Sequence, residues 1–171
     1  MLLLLVSNFC PAQENIMNEP PPQPRKETPK KSDIRTALSY LIPRNGTNKH
    51  ALVDGPTDYA YFFSVTLSID EIGKIENVYF SKSLPKNLVD FLGTPSGLLA
   101  KINAANLECK EYASKLVLIP FFYYRMDSSV IDYRSGFLKS MENLLPTVDD
   151  KMSQKSWIIL DTMINSFGAI E

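Results

Sequence analysis

A chain of 171 residues, 44% hydrophobic, with 18 basic against 19 acidic side chains, is long enough for one domain with a real core plus extra segments. Its balanced charge supplies no field that would draw it to nucleic acid or to an anionic membrane surface. One histidine, His50, excludes a His-rich metal centre, and two cysteines, Cys10 and Cys109, exclude a disulfide scaffold.

In chain order, Met1 to Gln13 carries an apolar run, Leu2 to Val6, before a small-residue step at Cys10-Pro11-Ala12. It reads as a short secretory leader lacking the usual basic start, or as an apolar tail. It is too short for an integral membrane span, which takes about 20 apolar residues. The expected setting is periplasmic or secreted. As a lipidation site Cys10 would be preceded by bulky Phe9, where a small residue belongs. Residues 14–31 form a Pro/Lys-rich linker, with Pro20 to Pro22 and Pro24 followed by Arg25, Lys26, Lys30 and Lys31. Such a run favours extended polyproline conformation and builds no core. Residues 32–171 are expected to form a single α+β domain.

Ser32 to Leu41 places Ile34, Ala37, Leu38 and Leu41 at helical spacing, with Ser32 or Asp33 as cap and Pro43 as stop. Asn45-Gly46 marks a turn, a reading preferred over the glycosylation pattern that Asn45-Gly46-Thr47 also fits. His50 reads as a solvated loop residue, and Ala51 to Pro56 as a short edge strand.

Tyr59 to Ser83 reads as a hairpin. Phe63, Val65, Leu67 and Ile69 alternate with Ser64, Thr66, Ser68 and Asp70, the period of a strand with one apolar face. Asp70 to Gly73 supplies the turn, with Gly73 free to take positive φ. The second strand, Lys74 to Ser81, sets Ile75 and Val78 at opposite parity, so a bulge between them brings both inward.

Asn87 to Leu92 reads as one helical turn or an irregular packed segment. Gly93 to Gly97 breaks the chain and lacks the GK[ST] ending of a phosphate loop. A helix follows from Ser96, its expected cap, and Cys109 near its end reads as a small buried hydrophobe. Lys115 to Arg125 is nearly continuous in apolar residues, as in a strand buried on both faces or lying at an oligomer contact. Pro120 cannot donate to a ladder, which sets it at an edge or a bulge. The aromatic run Phe121 to Tyr124 reads as core on one face and a covered rim on the other, with a ligand platform as the other reading. Tyr133 to Leu145 reads as an amphipathic helix stopped by Pro146, and Thr147 to Ser156 as a polar loop. Ser156 to Phe167 fits both a helix and two short strands, Trp157–Leu160 and Thr162–Phe167; its Ile and Trp content favours strands.

No G-x-S-x-G, H-E-x-x-H or C-x-x-C motif is present. The acids Asp70, Glu71, Asp127, Asp132, Asp149, Asp150 and Asp161 are candidates for a carboxylate-based hydrolase, though solvated charge is the stronger reading. Neither enzymatic activity nor a cofactor is expected.

The Asp70…Gly73-Lys74-Ile75 turn, the second strand Val78-Tyr79-Phe80-Ser81-Lys82-Ser83, a helix, and then Val117-Leu118-Ile119-Pro120-Phe121-Phe122 follow one another in an order that resembles the C-terminal domain of TonB-like energy transducers. The likeness covers residues 61–83 and 115–123. It implies a small antiparallel sheet with a ββαβ core, here carrying a C-terminal extension, and an exported module that binds a protein or peptide, in one mode by adding a strand to a sheet edge. On that reading Pro120, Tyr123 and Tyr124 are the partner-binding positions, with no nucleic-acid partner. The alternative is a self-associating envelope protein, a homodimer with its seam along residues 116–124.

Overall fold

The computed structural model describes residues 33–48, 50–54, 60–126, 137–150 and 154–167. The leader, the linker, Cys10, Asp127, Asp132 and the start of the helix expected from Tyr133 lie outside these residues. The described chain is α+β, a five-stranded sheet with helices.

Helix α1, Ile34–Leu41, begins where Asp33 accepts the Arg35 N–H at 3.1 Å, and it buries Ile34 and Leu38. Pro43 lies inside a following 3-10 turn, Ile42–Arg44, rather than beyond the helical segment. Residues 51–54 do not form the expected edge strand. The Val53 and Asp54 N–H groups both close back on the His50 carbonyl, at 2.9 and 3.0 Å, and this tight turn buries Ala51 and Leu52. An apolar triplet is as well satisfied by plugging a core as by joining a ladder.

Strand β1, Ala60–Ile69, and β2, Ile75–Phe80, form the hairpin. The Asp70 carboxylate accepts the N–H groups of Ile72 (3.0 Å) and Lys74 (2.8 Å), and Gly73 takes φ +89°. Ser68 pairs with Asn77 but Ile69 pairs with Ile75. Glu76 is therefore the extra residue of a bulge, and Ile75 and Val78 are both buried.

Helices α2, Lys86–Leu92, and α3, Pro95–Ala104, link the hairpin to the next strand. Thr94, not Ser96, caps α3: its hydroxyl accepts the Gly97 N–H at 3.0 Å, and Pro95 takes the first helical position, where its missing N–H costs nothing. Strand β3, Lys115–Arg125, runs antiparallel to β1. After α4, Phe137–Glu142, come β4, Ser156–Ile159, and β5, Met163–Phe167, both parallel to β3 on its other side. The order is β2-β1-β3, then β4 and β5 end to end along one edge.

The odd-numbered residues of β1 and β3 meet α1, α2 and α3 in the main core, which includes Phe63, Val65, Leu67, Val117, Ile119 and Phe121. Phe63 stacks on Phe121 with ring centres 5.3 Å apart. The even-numbered face is buried as well over Ser64, Thr66, Ser68, Leu116 and Leu118. There the Ser64 hydroxyl donates to the Leu144 carbonyl beyond α4, and the Ser64 N–H donates to Ser81 Oγ at 2.6 Å. No helix among the described residues is long and apolar enough to cross a membrane.

Candidate functional site at the outer sheet edge

The three positions expected to meet a partner fall in different surroundings. Pro120 is buried. Tyr123 is 5% exposed, packed against Phe63 and edge-on to Phe91, and burial pushes its hydroxyl up to about 12. Tyr124 stands half-buried on the opposite face, stacked on Phe122. Strand β3 has β1 on one side and β4–β5 on the other. Its backbone is already paired on both flanks, and the outer row passes to β4–β5.

Pro120 shapes that outer row. The Leu118 carbonyl accepts from Leu160 and the Met126 N–H donates to Phe167, both at 2.9 Å, so the even-numbered residues of β3 aim their backbone groups at β4–β5. Pro120 is one of them and has no N–H to give. The neighbouring strand breaks at the same level: Leu118 pairs with Ile159, whereas Phe121 pairs with Met163, an advance of one residue. Pro120 thus lies in an interior strand, and the irregularity it requires is taken up by its neighbour at residues 160–162.

The inserted residue resets the alternation. Leu160, Met163 and Phe167 pack against the main core, while Trp157, Ile159 and Ile164 lie across from Leu116, Leu118 and Phe122 on the other face. They are 38%, 66% and 69% exposed. The outward backbone groups belong to Trp157, Ile159, Ile164 and Ser166, because their neighbours point inward at β3. Among the described residues β4 and β5 pair only with β3. The opposite sheet edge is different: β2 is bulged at Glu76 and presents Glu76, Asn77 and Tyr79.

The start of β4 is tied down by charge. Lys155 Nζ contacts the Glu76 carboxylate and donates to Ser68 Oγ (3.1 Å) and the Ile69 carbonyl (2.7 Å), while Ser68 Oγ donates to Glu76 at 2.7 Å. The hydrogen bond from Lys155, then that from Ser68, holds the Glu76 carboxyl below its ordinary range. An open cleft of about 850 Å³ lies beside this cluster, lined by Asp70, Glu71, Ile72, Ser114 and Gln154 among others.

Three of the described candidate acids have separate partners. Asp70 closes its turn, Asp149 accepts from the Tyr79 hydroxyl at 3.4 Å, and Asp161 lies 3.7 Å from Arg35. No group of three His, Cys, Asp or Glu residues that could hold a metal occurs among the described residues. His50 is exposed. Cys109 is fully buried, and burial, with Glu111 nearby, pushes its thiol up to about 11.

The composition of 156–167 favours strand over helix only slightly and says nothing of its position at the rim. The signal available was the uncharged run Trp157 to Ile159, which is too short to show which face is covered. No protein-family model, curated protein or solved structure matches the chain.

Proposed function

We propose that the chain is an exported protein- or peptide-binding module that takes an extended partner segment as a further strand along β4–β5, without catalysis. One observation carries this reading: an outer sheet edge bearing three exposed large apolar side chains, Trp157, Ile159 and Ile164. Backbone groups along such an edge supply affinity, and the alternating side chains supply selectivity. The β2 edge is the poorer candidate, because its bulge and Glu76 interrupt a regular ladder. The leader read at 1–13 and the linker at 14–31 support an exported setting with some reach. The likeness of residues 61–83 and 115–123 to TonB-like domains supports a role in binding.

The test is amide hydrogen exchange on the full-length chain with a synthetic peptide of alternating valine and threonine. Exchange slows at Trp157, Ile159, Ile164 and Ser166. Ile159→Lys and Ile164→Lys each weaken the peptide about tenfold, the worth of one buried aliphatic side chain, with little change in melting temperature because both are exposed. Protection confined to β2, or binding indifferent to both lysines, overturns the reading. Light scattering separates peptide capture from pairing with a second copy.

A further inference from the structure

We infer that the β4–β5 edge selects an extended segment with a basic residue at its middle, flanked by uncharged residues that are apolar at alternate positions. This rests on the edge-pairing reading above and names the chemistry of the partner.

Between Ser156 and Phe167 a single residue is charged, Asp161. It sits at the step between β4 and β5, at the centre of the row, and is 97% exposed. Ile159 and Ile164 stand before and after it along the row, on the sheet face away from the helices, and its contact with Arg35 of α1 turns the carboxylate toward the helix side. A strand laid along this edge meets apolar surface, then a carboxylate, then apolar surface again.

Among the described residues the carboxylate is only partly answered. Arg35 reaches Asp161 at 3.7 Å, but its Nε lies 3.3 Å from Asp33. Two carboxylates share one guanidinium, which leaves a net negative charge. An exposed pair of that length contributes little and gives way readily to a closer cation. Lys155, at the head of β4, is held by Glu76, Ser68 and Ile69. A lysine or arginine carried at the middle of an incoming strand therefore finds an acceptor there, and an acidic residue is repelled. The same charge opposes self-pairing: an antiparallel match of two copies along the whole row sets two Asp161 carboxylates side by side.

The experiment uses the full-length chain and three labelled nine-residue peptides of alternating threonine and valine, with lysine, glutamine or glutamate at the centre, followed by fluorescence anisotropy. The lysine peptide binds about threefold to fivefold more tightly than the glutamine peptide, the span of an exposed ion pair, and the glutamate peptide is weaker by a similar factor. The differences shrink at high salt. Asp161→Asn brings the three peptides together, and Asp161→Lys reverses their order. If the wild-type chain binds all three alike, or Asp161→Asn keeps the ranking, the charge selection is wrong while edge pairing stands. If none of the three binds, edge pairing itself fails and this inference with it.

Discussion

Lys155 and Glu76 meet across 79 positions of chain, the ammonium just before β4 closing on the carboxylate that the β2 bulge turns outward. The contact ties the head of the outer edge to the first hairpin. Lys155→Met leaves a half-buried carboxylate without its cation and is expected to cost about 1–2 kcal/mol in urea unfolding, with Glu76→Gln costing less.

The same pair sets an acid limb. The folded-state pKa of Glu76 lies below its ordinary value of 4.5, chiefly through the hydrogen bond from Lys155. A depressed carboxyl pKa contributes stability above the unfolded value and loses it as pH falls through the folded one. Wild type therefore loses stability below pH 4.5 more steeply than Glu76→Gln. Urea midpoints measured from neutral pH downward check this.

The two neighbouring tyrosines of β3 should separate cleanly. Tyr123→Ala opens a cavity beside Phe63 and Phe91 and is expected to cost about 3–5 kcal/mol. Tyr124→Ala, half-buried on the other face, costs about 1 kcal/mol. Equal losses in thermal or urea unfolding would contradict the face assignment.

Pro120 and the step beside it form a coupled unit. Pro120→Ala introduces an N–H aimed at residues 160–162, where the ladder is broken, at a cost of about 1–3 kcal/mol for an unpaired buried donor. Deleting Thr162 in that background restores an even register and returns part of the loss. Non-additivity of the two changes in urea unfolding is the measurement.

Cys109 should be inert in the folded chain. Its thiol is fully buried and raised to about 11, so the thiolate that reacts is scarce at neutral pH. With Cys10 replaced by serine, iodoacetamide labelling at mildly alkaline pH should be slow until denaturant unfolds the domain. Fast labelling of the folded chain would contradict the burial.

Much of this fold was written in local pattern. The hairpin follows from strict alternation through Phe63 to Ile69, and the Glu76 bulge from the parity conflict between Ile75 and Val78. The edge at 156–167 leaned to strand by its Ile and Trp content, although the same residues also fit a helix. The pairing of 61–69 with 116–123 was expected and is found, but the lateral order beyond β3 was not legible. Nothing in Lys115 to Arg125 says that two more segments will flank it, and a proline in mid-run points to an irregularity without saying which strand absorbs it. Ala51 to Val53 shows the same limit: three apolar residues read alike whether they extend or curl into the core. The candidate site depended on lateral order, and so its position at the rim emerged only from the assembled sheet.

The place of β3 also orders events in time. Its antiparallel neighbour leaves the ribosome before it, and its parallel neighbours leave after it. Until Phe167 has been made, Leu116, Leu118 and Pro120 belong to a ribbon with one flank unfilled, paired through distant contacts that form slowly. The nascent chain therefore passes through an interval when its stickiest segment is accessible to foldases or to other unfinished copies.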